Sequence, residues 1–281
     1  GKISYDATAK RIRMGTFRKE DSKTGKLSID IGETTLDNLN TDSFILNKQV
    51  KAGYLHSAGG SMDIWRSKDK QRNKGSIEFD NGFFDEAMVD RIEIGKTNIR
   101  IFDKANPSNE PMLIEGVTFS ANDIQRLYSG TRIRELISNS NWNLGIDGFS
   151  FVSADKIYQW TIKSLSIDKA AASMRIKSAS MSPRVSEATF AAGLKVQKDL
   201  FNLLFQDIQI TGLNTGSLLS GNLLEAKQVQ LSPTLKIFND RTVTPSTQSK
   251  VGNYPHQLLQ KVSMPVHIDK MIIKNGMVAY T

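Results

Sequence analysis

Hydrophobic positions along the chain recur at one spacing. From Val89 the run continues through Ile92, Ile94, Ile99 and Ile101, and from Ile268 through Met271, Ile273, Val278 and Tyr280, at identical separations. A third run begins at Ile162 and continues through Leu165, Ile167, Ala172 and Met174. A fourth begins at Ala226, passes Val229 and Leu231, and is one residue shorter before Leu235 and Ile237. Alternation within each half indicates strand, because successive side chains leave a strand on opposite faces. Asn275-Gly276, between the halves of one copy, predicts a type I′ hairpin, whose two central residues both need φ > 0. That loop places Ile273 opposite Val278 and Met271 opposite Tyr280, all on one face. The same logic groups Ile92, Ile94, Ile99 and Ile101 away from Glu93, Asn98 and Arg100, and Leu165, Ile167, Ala172 and Met174 away from Ser166, Asp168, Ser173 and Arg175. A looser copy sets Leu27, Ile29, Thr34 and Leu36 against Ser28, Asp30, Thr35 and Asp37.

Repeated hairpins, each apolar on one side and polar on the other, predict a mainly β fold: an elongated, curled antiparallel sheet forming a β-groove, with a few short helices. Further strands are expected over 3–6, 11–14, 44–46, 53–56, 61–65, 77–79, 112–119 and 148–153. Helix is expected over 83–88, from about Ser120 to Ile137, and after Ser186, where Ser186 caps and Gly193 stops it. A long strand then runs into Ile208 and Ile210, and 212–221 is a loop with one helical turn. The template starts are unevenly spaced, so the chain is no fixed-period solenoid. It reads as one elongated segment, residues 1–281, with a candidate subdivision near 181–186 between an N-terminal part (1–181) and a C-terminal part (182–281). The opening Gly1-Lys2-Ile3 and the strand-like close at Tyr280-Thr281 suggest a piece of a longer protein.

At 281 residues a sizeable core is within reach, and the 39% hydrophobic and 23% charged content fits an ordered chain. No apolar run approaches the roughly 18 residues of a membrane span. The absence of Cys excludes disulfides, thiol catalysis and thiolate metal sites. His56, His256 and His267 are isolated from one another, and Gly95-Lys96-Thr97 lacks both the leading Gly and the following helix of a phosphate loop. Gly59-Gly60-Ser61-Met62-Asp63 lacks the second Gly of a nucleophile elbow. No catalytic residue, metal site or cofactor is expected. The net charge of +8 favours anionic partners. The densest basic run, from Arg66 to Lys74, contains no stacking aromatics and reads as a solvated hairpin loop, so nucleic acid is not expected as a partner.

Four stretches carry a resemblance. Ile157 to Ile167, Met181 to Glu187 leading into Phe190, Leu235 to Arg241, and above all Pro265 to Tyr280 (PVHIDKMIIKNGMVAY) resemble the AsmA-like proteins of Gram-negative bacteria, relatives of TamB within the repeating β-groove lipid-transfer superfamily. The resemblance covers about half the chain, from Phe149 to Thr281. It implies a periplasmic β-groove, held at the inner membrane by a part outside this segment, with roles in phospholipid transport or outer-membrane assembly, and it supplies no catalytic residues.

The expected function follows from both readings. The chain is a non-enzymatic envelope segment whose apolar lane, lined by Ile92, Ile94, Ile99, Ile101, Leu165, Ile167, Met174, Met271, Ile273, Val278 and Tyr280, takes phospholipid or another acyl lipid, with envelope proteins as further partners. Burying a methylene is worth about 0.8 kcal/mol, so a chain of roughly sixteen carbons gains on the order of 10 kcal/mol in such a lane. The competing reading is a structural or protein-interaction β module with a closed core and exposed edges.

Overall fold

The computed structural model describes residues 2–20, 27–47, 49–66, 86–128, 137–221, 223–245 and 265–281. The fold is mainly β, with sixteen strands in one mixed sheet and a few short helices. The chain divides into two compact units, residues 1–149 with 166–170, and residues 150–165 with 171–281. Residues 181–186 lie inside the second.

The first unit contains β1 (Ile3–Asp6), β2 (Arg11–Met14), β3 (Phe17–Glu20), β4 (Leu27–Ile31), β5 (Thr34–Asp37), β6 (Gln49–Ser57), β7 (Gly60–Arg66), β8 (Glu86–Asp103), β9 (Met112–Tyr128) and most of β10 (Asn141–Val152). The expected hairpin from Val89 does not form, because Ile92, Ile94, Ile99 and Ile101 all lie on β8, one strand of 18 residues. Its two halves have separate parallel partners, β6 along 86–94 and β7 along 97–103. Nor do Leu27 and Leu36 belong to a hairpin: β4 pairs β3 and β7, whereas β5 pairs β2 and β6. These are long strands broken in the middle and continued on the next stretch of the same neighbour. The breaks align across the sheet, where the Gly32 N–H donates to the Gly59 carbonyl at 2.7 Å and the Ala58 N–H to the Glu33 carbonyl at 2.9 Å. Close backbone approach explains the residue type. A Cβ on Gly95 would stand 2.6 Å from the Ala58 carbonyl oxygen, and one on Gly59, whose φ is +90°, would collide with the Lys96 carbonyl.

The second unit holds β11 (Tyr158–Asp168, through residue 165), β12 (Ser173–Pro183), β13 (Leu200–Thr211), β14 (Leu224–Phe238), β15 (Val266–Ile273) and β16 (Met277–Tyr280). The Asn275-Gly276 hairpin is overturned as well. Both β15 and β16 run parallel to β14, as consecutive segments along it, and Ile273 therefore lies beside Leu231 rather than opposite Val278. Asn275 does adopt φ +49°, but in a bulge. From Leu231↔Ile273 to Thr234↔Met277 the strand pair inserts one extra residue on the β15–β16 side. Pro233 sits on β14 opposite that bulge, near Gly276, where its missing N–H removes no ladder bond to β15 or β16. The Ala226 copy is likewise one unbroken strand. Of the four copies, only the one from Ile162 spans two sheet neighbours joined by a short turn, β11 and β12, with Ala172 in that turn at φ +47°. The sheet is therefore mixed rather than antiparallel, with β6 and β7 parallel to β8, and β15 and β16 parallel to β14.

Three local expectations also change. Residues 44–46 lie in the helix Thr41–Asn47 instead of a strand, because the Asn40 side chain accepts the Ser43 N–H at 3.0 Å and opens a helical turn. Residues 120–128 are strand rather than helix. Ala121 and Ile124, both buried, have a three-residue spacing that mimics a helical period, but β9 pairs with β8 at one register from Ala121 to Ile124, so the two lie on opposite sides of a strand. Residues 86–88 of the helix expected over 83–88 are likewise on β8, while its residues 83–85, the basic run beyond Arg66 and the strand over 77–79 lie outside the described residues. The helix Glu187–Ala192 forms as expected, with the Ser186 hydroxyl accepting the Thr189 N–H. The helix Thr215–Ser220 supplies the expected turn before β14.

Gly59→Ala should lower the unfolding free energy by about 2 kcal/mol or more, since it combines left-handed backbone with a backbone collision. Gly221→Ala, at φ +68° in open space, should cost only about 1 kcal/mol. Urea unfolding of both variants checks the ranking, and equal losses would remove the close-approach account of the break line.

Candidate functional site

In the second unit the apolar face is assembled from β14 outward. Val229, Leu231, Leu235 and Ile237 share one face of this unbroken strand by alternation. The register ties each to its neighbours. One row reads Met174, Ile210, Val229, Met271, a second Met181, Leu203, Leu235, Val278, and a third Phe201, Ile237, Tyr280. Five template positions of the Ala226 run thus lie one-for-one beside those of the Ile268 run, and the residue by which the runs differ in length is the bulge on the β15–β16 side. The two similar runs are similar because they are neighbours in a parallel pair facing the same environment.

Exposure changes sharply along these rows. Val229 and Ile210 are buried at 5% and 6%, whereas Met271, Ile273, Val278 and Tyr280 stand 57%, 60%, 72% and 51% exposed. The buried end is closed by Leu213 and Thr215 beside the helix Thr215–Ser220, and the exposed end is formed by β15 and β16, which among the described residues pair with β14 alone. Arg241 stacks over the Tyr280 ring at 5.8 Å on this rim.

Of the positions expected to line a lane, Leu165, Met174, Met271, Ile273, Val278 and Tyr280 fall in this unit, and Ile92, Ile94, Ile99, Ile101 and Ile167 in the first. Met174 and Ile167 are buried, Leu165 is half-buried, and the four on β15 and β16 are open. Sequence reasoning missed the contribution of β13, namely Phe201, Leu203 and Ile210. Its alternation is interrupted at Asp207, where φ is +50° and the register against β14 shifts, so no simple period marks the strand.

In the first unit Ile92 lies in a row that runs from Tyr5 through Ile12, Leu36 and Leu55 and on to Ala121, and Ile101 in a row that runs from Leu27 through Ile64 and on to Met112. The intervening rows are ionic. Arg11 pairs with Asp37, Arg18 with Asp30 at 2.7 Å, Arg100 with Asp63 at 2.6 Å, and Arg91 with Glu93. Tyr54 donates its hydroxyl to Glu93 while Arg91 stacks over the Tyr54 ring. The Tyr54 hydrogen bond, reinforced by Arg91, holds the Glu93 carboxyl below its ordinary value, and the same bond, with burial, pushes the Tyr54 phenol up. Apart from the Arg91–Glu93 pair within β8, these pairs reach across neighbouring strands and fasten the sheet. No group of three or more His, Asp or Glu able to hold a metal occurs among the described residues.

The Glu93 carboxylate stabilises the fold above its unfolded value, about 4.3, and that contribution disappears as pH falls through the lower folded value. Urea unfolding between about pH 6 and pH 3 should show the natural chain losing stability more steeply than Glu93→Gln, and matching slopes would show that the network does nothing for the fold. No family model matches this chain, and no curated protein matches it.

Proposed function

We propose that this chain is a non-enzymatic segment of a cell-envelope protein that handles phospholipid, using the apolar face of the second unit to solvate acyl chains. One observation carries the reading: the cross-strand rows grow more exposed toward β15 and β16, so that four large apolar side chains on one face stand half or more open to solvent. Solvent-exposed aliphatics in a continuous row are costly unless something apolar covers them. An acyl chain matches a row of Met, Val, Ile and Tyr, since each covered methylene gains about 0.8 kcal/mol without any directional bond. The residues that resemble the AsmA-like family, Pro265 to Tyr280, are those that form this exposed end. That resemblance supports a periplasmic location, with an anchor at the inner membrane in a part outside this segment.

A second reading draws on the same strands. β15 and β16 leave their outer backbone edge without a strand partner among the described residues, and such an edge pairs with extended chains of other proteins. Lys270, Lys274 and the bulge at Asn275 interrupt that edge, which disfavours strand addition and favours the lipid reading.

The natural chain should carry phospholipid through purification, detectable by mass spectrometry, and should take up a fluorescent phospholipid. Ile273→Glu with Val278→Glu should reduce uptake at least tenfold while leaving thermal unfolding within a few degrees, because both positions are exposed. A lipid-free preparation that also ignores the fluorescent phospholipid would end this proposal.

A further inference from the structure

The net charge of the chain is unevenly divided. The first unit holds 23 Lys and Arg against 22 Asp and Glu, whereas the second holds 14 against 7, so seven of the eight net positive charges belong to the second. In the first unit the charges are interleaved and paired across the strands, as in Arg18–Asp30 and Arg100–Asp63. The second unit treats its charges differently. Three of its carboxylates are engaged by local uncharged groups, Glu225 by the Asn214 amide at 2.8 Å, Asp199 by the Asn239 amide at 2.7 Å, and Asp240 by Thr242, while Asp269 lies 3.4 Å from His267.

Three of its exposed cations share a face. Opposite the apolar rows, β14 presents Gln228, Gln230, Ser232, Thr234 and Lys236. Register adds Ser173, Thr211 and Lys270 beside Gln228, Arg175 and Gln209 beside Gln230, and Asn202 beside Lys236. These rows contain three cations, Arg175, Lys236 and Lys270, and no carboxylate. All three side chains are exposed, and none has an ion-pair or hydrogen-bond partner among the described residues. Around them the face offers amides and hydroxyls, which donate to phosphate oxygens without adding charge of either sign, together with Ile272 beside Gln230 and Leu204 and Met277 beside Thr234.

We infer that this polar face docks the second unit onto a bilayer surface bearing anionic phospholipid headgroups. The chemistry favours a broad anionic plane over a single anion, because the three cations lie on separate strands and no two share a row. A nucleic acid would call for aromatic stacking on this face, and the rows supply none. The apolar rows then point away from the headgroups. The inference stands apart from the acyl-lane reading, since attraction to headgroups needs no open lane.

The test is co-sedimentation of the full chain with vesicles, either pure phosphatidylcholine or equimolar phosphatidylcholine and phosphatidylglycerol. Binding is expected only to the anionic vesicles, and it should weaken steeply between about 0.1 M and about 1 M salt, as the Debye length falls from about 10 Å to about 3 Å. Neutralising Arg175→Gln, Lys236→Gln and Lys270→Gln together should reduce binding on the order of a hundredfold, from the usual contribution of each basic residue near such a surface. Arg175→Lys, which keeps the charge, should bind like the natural chain. As a control, Arg18→Gln, Lys96→Gln and Arg100→Gln remove as much charge from the first unit and should change binding less than threefold. Equal binding to pure phosphatidylcholine, equal loss in the control, or tighter binding to single-stranded DNA than to the anionic vesicles would each overturn the inference. Ile273→Asn with Val278→Asn, which adds no charge, separates the two proposals, because it should reduce acyl uptake and leave vesicle docking intact.

Discussion

Hydrogen-bonded register across the long strands is the constraint from which the rest follows. A strand of some fifteen residues twists as it runs, and neighbours stay paired over that length only if they bend together. Here the bends are made by residues that tolerate left-handed backbone or close approach: Gly32, Gly59 and Gly95 along one line in the first unit, and Asp207 and Asn275 in the second. At Asp207 and Asn275 the register against β14 shifts by one residue, whereas across the line of Gly32, Gly59 and Gly95 the pairing of β4 and β5 with β7 and β6, and of β6 and β7 with β8, keeps a constant offset.

The two units use the polar side of the sheet for different ends. In the first, arginines and carboxylates alternate across strands and fasten the ladder, with Glu93 held ionised by Tyr54 and Arg91. Exposed pairs of this kind contribute little individually, but a connected set fixes register. The second unit forgoes that fastening. Its polar face carries amides and unpaired cations, and its stability rests on the buried end of the apolar rows, around Ile210, Leu213, Ala226 and Val229. A sheet held at one end and open at the other keeps an apolar surface exposed without unfolding.

Alternation alone identified most strands, because a side-chain period of two survives any topology. β6, β7, β11, β12 and β14 all lie where apolar and polar residues alternate, and the Ser186 cap and Gly193 stop placed a helix correctly. The apolar positions of β15 and β16 were legible for the same reason. Connectivity was misread at Asn275-Gly276 and at Gly95, and the cause is physical. Left-handed residues serve both two-residue hairpin turns and bulges inside a continuing strand, so the dipeptide specifies the backbone angle but leaves the direction of the chain open.

What the sequence by itself determined is which residues are apolar on which side of each strand, and where the backbone must bend. Tertiary structure alone decided that the Ala226 and Ile268 runs lie side by side in parallel, that β13 supplies Phe201 and Leu203 to the same rows, and that exposure rises toward β15 and β16. Side-chain alternation is a property of a single strand, written in local order. Which strand becomes the neighbour depends on pairing energies between segments far apart in the chain, and no local pattern encodes them.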